Sequence, residues 1–439
     1  MQHLDQKSLA AHWMPYTGNR AFKKDPRIVE RADGCYFFTP DGRKVFDGLS
    51  GLWCCGAGHN HPGIQEAVAS QLGKLDYSPG FQFAHPQSFE LANRIVELMP
   101  EGLGHVFFTN SGSECADTAL KIALAYWREL GRPGKTKLIG RIKGYHGVNF
   151  GGTSVGGIGP NRAQYGPLLD VDHLSSTLLA ENAFSRGMPQ YGAHLAEELE
   201  ELVTLHGADN IAAVMVEPMS GSAGVVVPPS GYLQRLREIC DRHEILLVFD
   251  EVITGLGRVG SMTAAEEFGV VPDILNLAKQ LTNGAIPLGA VVVSGAIYDA
   301  FMEAPRAAHA VELMHGYTYS GHPVACAAAL AALDLLQAEG LVARSRSLAP
   351  HFESGLHALQ GAPHITDIRN CGLAGALQLQ ARDGDPTVRP YEVGLKMWEA
   401  GFYVRWGGDA VMLGPPFVST PEQLDSLFDA LAGALAGVD

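Results

Sequence analysis

No apolar run in this 439-residue sequence approaches the roughly 20 residues that a membrane-spanning helix needs. The opening residues, Met1 to Lys7, carry no apolar stretch of the kind a secretory leader requires. Cysteine is sparse: Cys35, Cys54, Cys55, Cys115, Cys240, Cys326 and Cys371 are odd in number, scattered and without a C-x-x-C pair. Neither a disulfide framework nor a zinc ribbon fits that pattern, and the expectation is a cytoplasmic protein. Positive charge is also in deficit, with 32 Lys and Arg against 47 Asp and Glu for a net charge of −15. A nucleic-acid polyanion is therefore a poor partner, and with no spanning run no membrane partner is expected either, although a local basic group can still hold a phosphate or carboxylate. Internal repeats and low-complexity segments are missing too.

What is present reads as globular. The chain is 46% hydrophobic and 18% charged, with 52 glycines, well above the usual share of about 7%. Extra glycine in such a chain signals tight turns and close backbone approaches. The middle alternates apolar runs with helical stretches: His105–Thr109, Lys137–Gly140, Ile211–Val216, Ile245–Phe249, Ile274–Leu277 and Gly289–Ser294, with helix patterns at Cys115–Leu130 and Gly231–His243. Continuously apolar strands are those buried on both faces, so the prediction is an α/β fold whose large domain, residues 60–330, holds a mostly parallel sheet. Residues 1–59 and 331–439 are expected to join in one smaller α+β domain, closed by an amphipathic helix near Pro421–Leu435.

Open parallel sheets bind ligands at the carboxyl ends of their strands, so the residues just after each apolar run matter most. After the first comes Asn110-Ser-Gly-Ser-Glu114, small residues leading into a helix, which reads as an anion cradle or as an ordinary N-cap loop. After the fourth comes Asp250, an acid on a buried strand end that requires a cationic partner. After the fifth comes Lys279, where desolvation would lower the amine's pKa and make it nucleophilic. Gly255-Leu-Gly257-Arg-Val-Gly260 matches a dinucleotide fingerprint by letter, but four residues separate it from Asp250 and several strands precede it. His59-Asn-His61 lacks a third metal ligand nearby and reads as a turn, and Cys54-Cys55 reads as a pair of small buried hydrophobes. A phosphate cradle, a strand-end carboxylate and a nucleophilic lysine are together what pyridoxal phosphate requires.

The chain resembles the class III aminotransferases of the fold-type I pyridoxal-phosphate enzymes over essentially its full length, and within them the β-alanine (ω-amino acid):pyruvate type. The resemblance rests on Trp13–Thr17, Gly51-Leu-Trp53, Asn110–Asp117, Gly144-Tyr-His-Gly147, Val216-Glu-Pro218, Asp250–Arg258, Ala278-Lys-Gln280 and His315–Pro323. It implies that Lys279 bonds the cofactor's aldehyde and shuttles a proton, and that Asp250 keeps the ring nitrogen protonated. It further implies that Tyr145 and Val252 cover the two ring faces, that Gly112 and Ser113 bind the phosphate, and that Glu217 is an acid near the cofactor. Thr318 matches a threonine that reaches the neighbouring subunit's cofactor phosphate, so a homodimer with shared sites, or a tetramer built from it, is expected.

Departures from related types narrow the substrate. Ornithine and 4-aminobutyrate types resemble each other in having a Glu where this chain has Ser222, and an Arg where it has Met412. Arg405 matches the movable carboxylate-binding arginine of the ω-amino acid:pyruvate type, and Ile253, Trp53, Tyr16 and Phe81 are expected to line the substrate pocket. The reading is a ping-pong transfer of an amino group from an ω-amino acid or amine to pyruvate. Its rivals are a 4-aminobutyrate or amine aminotransferase, or an aminomutase or decarboxylase on the same scaffold. A nicotinamide-dependent dehydrogenase rests on the glycine motif alone, and a non-catalytic binding protein conflicts with the intact Lys279, Asp250 and Tyr145.

Overall fold

The computed structural model describes residues 6–166 and 168–439. Near the N-terminus β1 (Arg31–Asp33), β2 (Tyr36–Phe38) and β3 (Lys44–Asp47) form an antiparallel meander. The central sheet follows, made of β4 (Leu103–Thr109), β5 (Lys137–Arg141), β6 (Val171–Leu174), β7 (Ile211–Val216), β8 (Leu246–Asp250), β9 (Ile274–Leu277) and β10 (Gly289–Ser294). Its spatial order is β4-β10-β9-β8-β7-β5-β6, and β10 alone runs against the others, antiparallel to both β9 and β4. The fold is thus α/β with a mostly parallel sheet. Every residue of β7 and β8 is buried, as continuous apolar strands demand when helices cover both faces. Val214 and Val216 pack with Leu233, Leu236 and Ile239 of helix Tyr232–Arg242. Ala213 and Met215 face the opposite way, toward Ala116, Ala119 and Ala123 of helix Gly112–Glu129.

The strand predictions at Ile211–Val216, Ile274–Leu277 and Gly289–Ser294 coincide with β7, β9 and β10, whereas β6 had no apolar run to reveal it. Its sequence, Val-Asp-His-Leu, is half polar because it sits at the sheet edge, with only Leu174 buried. The paired histidines have structural partners: His59 Nε2 lies 2.7 Å from Asp47 Oδ2, and His61 caps helix Pro62–Lys74.

The two ends of the chain meet through backbone pairing. The C-terminal strands are β11 (Ile365–Cys371), β12 (Ala374–Leu379), β13 (Phe402–Tyr403), β14 (Arg405–Gly407) and β15 (Ala410–Leu413). β11, β12, β15 and β14 make a sheet of their own, but β13 joins the N-terminal meander, pairing parallel with β3. Reciprocal backbone bonds extend the seam: Gly48 N–H donates to Tyr403 O at 2.9 Å, and Gly414 N–H donates to Gly48 O at 2.8 Å.

Arg258, inside the glycine motif, ties the central unit into this seam. It is 1% exposed, and its guanidinium donates to Leu373 O (3.0 Å), Pro415 O (2.8 Å) and Ser50 Oγ (3.0 Å), while lying over the Phe417 and Trp53 rings. Burial without a carboxylate contact brings its pKa down to about 9, with Asp47 opposing the fall. The flanking glycines serve packing: a Cβ on Gly257 would stand 3.0 Å from the Phe417 ring, and one on Gly255 would stand 2.6 Å from Leu277.

Trp53 closes the seam from the other side, its ring flat against Gly414. A Cβ at Gly414 would come within 2.3 Å of that ring, which neither partner can relieve in so dense a core. Gly414→Ala should therefore destabilise the protein by about 1–3 kcal/mol through overpacking. A urea midpoint unchanged from wild type would show that the ring can move.

Candidate active site

Because six strands run one way, their carboxyl ends meet along one edge of the sheet, together with the start of β10. A cavity of about 310 Å³ opens there. Its wall is built strand by strand: Asn110 to Ser113 after β4, Tyr145 to Gly147 after β5, Glu217 after β7, Asp250 with Val252 and Ile253 at the end of β8, and Lys279 after β9. Ile286, Pro287 and Leu288, leading into β10, close the remaining side. Gly112, Ser113, Tyr145, Glu217, Asp250, Val252, Ile253 and Lys279 are thus brought together from five separate stretches of chain.

One side of the cavity is a helix N-terminus. Ser111 caps helix Gly112–Glu129, its Oγ accepting from Glu114 N–H at 3.2 Å. Glu114 turns back to accept from the backbone and side-chain amides of Asn110 at 2.7 and 2.9 Å. The first-turn N–H groups of Gly112 and Ser113 have no intrahelical acceptor, and the helix dipole adds positive potential beside them. Gly112 must be glycine for this approach, since a Cβ there would meet Val252 Cγ1 at 2.8 Å. Ser113 Oγ also accepts from Val148 N–H at 3.1 Å, which stitches the loop after β5 to the helix.

A buried cluster of acids faces the helix terminus. Asp250 is 6% exposed; its Oδ2 lies 2.9 Å from Nδ1 of His146, and its Oδ1 accepts from Val252 N–H at 3.1 Å. His146 had no role in the sequence reading, although it sits beside Tyr145 at a strand end, which was the available signal. Glu217 accepts from Tyr145 N–H at 2.9 Å, so this acid fixes the backbone that carries both Tyr145 and His146. Burial pushes the Glu217 carboxyl up to about 7, with Asp250 adding to the rise and His146 opposing it. Burial likewise pushes the Tyr145 phenol up to about 12, next to the Tyr16 hydroxyl.

Lys279 completes the wall. Burial lowers the pKa of its amine, against opposing pulls from Cys54, Asp250 and Glu217, and the Arg405 charge lowers it further. Its backbone lies in the left-handed region at φ 47°, a strained state for a lysine of the kind that persists where surrounding structure over-determines it. The residues present fit pyridoxal phosphate: an anion cradle, a carboxylate held by an imidazole, and an amine whose proton is loosened, all on one cavity.

Other expected residues lie elsewhere. Arg405, on edge strand β14, does not line the cavity, yet its charge is felt at Lys279 and Tyr145. Trp53 is 3% exposed and turned into the seam against Gly414 and Arg258, because that packing buries its whole ring; its neighbour Cys54 lines the cavity instead. Cys54 is accordingly half-buried rather than part of a buried pair. Tyr16, Phe81 and Thr318 are exposed and outside this chain's cavity, with Phe81 packed over Gly316 and Thr318 O accepting from the Tyr77 hydroxyl at 3.1 Å.

The Glu217 environment has a thermodynamic consequence. A carboxyl that titrates at about 7 in the folded protein and near 4.3 when unfolded binds its proton more tightly in the fold. Its contribution to stability is fully present below about pH 4.3 and is lost as the pH rises through about 7. Glu217→Gln cannot ionise, so its melting temperature should gain on wild type between about pH 5 and pH 8. A constant difference across that range would show that Glu217 carries no such shift.

With the site described, its relatives are informative. Residues 18–435 match the class-III aminotransferase family. The chain is 64% identical to a β-alanine–pyruvate aminotransferase of Pseudomonas aeruginosa, over 98% of this chain and 96% of that protein. It is 61% identical, over the same shares, to an ω-amino acid–pyruvate aminotransferase of Pseudomonas putida. Among solved structures, an amine transaminase from an uncultivated Pseudomonas species in its PLP-bound form superposes with a TM-score of 0.90 at 38% identity, covering 97% of this chain and 98% of that one. Extent, identity and fold agree with the geometry of the cavity, and the chain belongs to the class-III aminotransferases.

Proposed function

We propose that this protein is a pyridoxal-phosphate-dependent aminotransferase that moves an amino group from a β-alanine-like ω-amino acid to pyruvate, releasing alanine by a ping-pong mechanism. The observation that carries the reading is the convergence of Lys279, Asp250 and the Gly112–Ser113 helix terminus on one cavity. The two curated relatives named for β-alanine and ω-amino acids support the donor class.

Pyridoxal phosphate supplies an aldehyde to receive the amine and a ring that draws electrons from the carbon losing its proton. The residues around it divide the remaining work. The N–H groups of Gly112 and Ser113 bind the phosphate. Asp250, 2.9 Å from His146, would hold a proton on the ring nitrogen, and Tyr145 and Val252 would cover the ring. Glu217 acts through the Tyr145 backbone. Lys279 Nζ, whose burial favours the neutral amine, would hold the aldehyde and would serve as the base that moves the substrate proton. Ile253, packed against Gly221, gives the substrate side an apolar wall.

Arg405 is the carboxylate-binding group. Ser222 and Met412 stand where related types carry a Glu and an Arg, leaving Arg405 as the cation available to pyruvate and to the far carboxylate of an ω-amino acid. Tyr16 and Phe81 border the donor's path, whereas Trp53 is packed into the seam behind Cys54. Thr318, exposed here, contributes to the neighbouring subunit's phosphate site in a homodimer with shared sites, or in a tetramer assembled from it. The exposed Phe81, Phe83 and Tyr319 near that segment are the kind of apolar surface a second subunit covers. The cytoplasm is the compartment in which seven free thiols persist.

Two measurements test this. Lys279→Ala should lose at least roughly 10²–10⁴-fold in turnover and also the visible band of the bound cofactor. A variant retaining a tenth of wild-type activity would place the catalytic amine elsewhere. Arg405→Ala should lower kcat/KM for pyruvate and β-alanine by roughly 30- to 1000-fold, the cost of a bidentate charged contact, while an uncharged aryl amine loses less than about tenfold. Equal losses on both donors would make Arg405 structural and remove the ω-amino acid assignment.

A further inference from the structure

His146 separates two cavities. On the side of the large cavity its Nδ1 faces Asp250 Oδ2 at 2.9 Å. The opposite ring nitrogen, Nε2, is buried and has no protein partner. A Cβ on Gly144 would stand 3.3 Å from Nε2, and Gly144 belongs to the wall of a second, small cavity but not to that of the large one. Nε2 therefore points into the small cavity, whose wall also includes Thr153, Asn161 and Arg162. Its volume is about 10 Å³ of the space open to a water's centre, the lower limit for one water molecule. Its wall carries polar side chains among apolar surface, and a buried ring nitrogen left without a partner is costly.

We propose that this small cavity is a binding site for one ordered water, bonded to His146 Nε2 and to the Thr153 hydroxyl, and that the water makes His146 a positioning residue for Asp250. The Asp250 carboxylate accepts the Nδ1 proton, which leaves a lone pair on Nε2. The water donates one hydrogen to that lone pair and engages Thr153 with its remaining capacity. This fixes the imidazole as the tautomer that donates to Asp250, and Asp250 keeps its negative charge directed at the large cavity. The charged groups around the ring fit this arrangement. Asp250 and Glu217 face it from the ends of β8 and β7 and Lys279 from beyond β9, whereas Arg162 lies on the water's side. The inference rests on the reading of Asp250 as the partner of the cofactor's ring nitrogen.

The experiment uses the cofactor-loaded protein. A crystal structure of it should show a water about 2.7–3.2 Å from His146 Nε2 and within hydrogen-bonding reach of Thr153 Oγ1. Thr153→Val keeps the side-chain volume and removes the hydroxyl. It should move the pH midpoint of the visible cofactor band by at least about 0.5 unit and weaken cofactor binding about 2- to 10-fold. The variant's melting temperature should stay within about 2 °C of wild type, because one hydroxyl–water bond is small beside the stability of the whole chain. An empty small cavity, or a Thr153→Val band that titrates as wild type, overturns the proposal. Asp250→Asn separates its failure from that of the reading beneath it. An altered Asp250→Asn band beside an unchanged Thr153→Val band sinks the water site alone, whereas an unchanged Asp250→Asn band removes the premise and the proposal with it.

Discussion

Six strands of the central sheet share one direction, and every functional side chain on the cavity wall depends on that alignment. Parallel neighbours deliver their following loops to the same edge, so an acid after one strand and a lysine after the next become neighbours although 28 positions separate Asp250 from Lys279. The helix N-terminus after β4 arrives at the same edge by the same rule. Reversing β10 is what allows Ile286, Pro287 and Leu288 to enter the site from the other direction and close it. The electrostatics then follow from place: a lysine whose burial loosens its proton and a glutamate whose burial holds one both sit where the sheet ends and solvent is thin.

Much of this was legible in the residues. Ile211–Val216, Ile274–Leu277 and Gly289–Ser294 announced themselves because strands buried on both faces have no polar positions to blur them. Lys279, Asp250 and the Asn110–Glu114 loop were visible because polar chemistry directly after an apolar strand has few structural uses. β6 was not visible, since an edge strand tolerates Asp172 and His173. The reversed direction of β10 was not visible either, because an apolar run carries no arrow. Nor did composition reveal that Trp53 turns inward while Cys54 takes the cavity wall. That choice is made by the space beside Gly414, more than 350 positions away.

Arg258 shows why a short motif needs its context. Its glycines match a nucleotide fingerprint by letter, yet they let the backbone pass beneath Phe417 and beside Leu277. The arginine between them donates to carbonyls of the C-terminal unit and to Ser50 of the N-terminal one. A buried guanidinium facing carbonyls and aromatic rings, with no carboxylate in contact, contributes orientation more than net stability. It holds the unit bearing Arg405 in register with the sheet edge that bears Lys279.

The parallel pairing of β13 with β3 also bears on how the chain comes to be folded. Phe402 must find Phe46 across most of the polypeptide, and that contact cannot form until the ribosome has emitted nearly the whole sequence. The sheet can assemble from the middle while synthesis continues, but the first fifty residues wait for the last forty. During that interval the apolar faces of β2 and β3 have no cover, and a nascent chain is most exposed to aggregation or chaperone capture. Arg405, two residues beyond β13, arrives with the closing strand, so the carboxylate-binding group proposed above is among the last to be put in place.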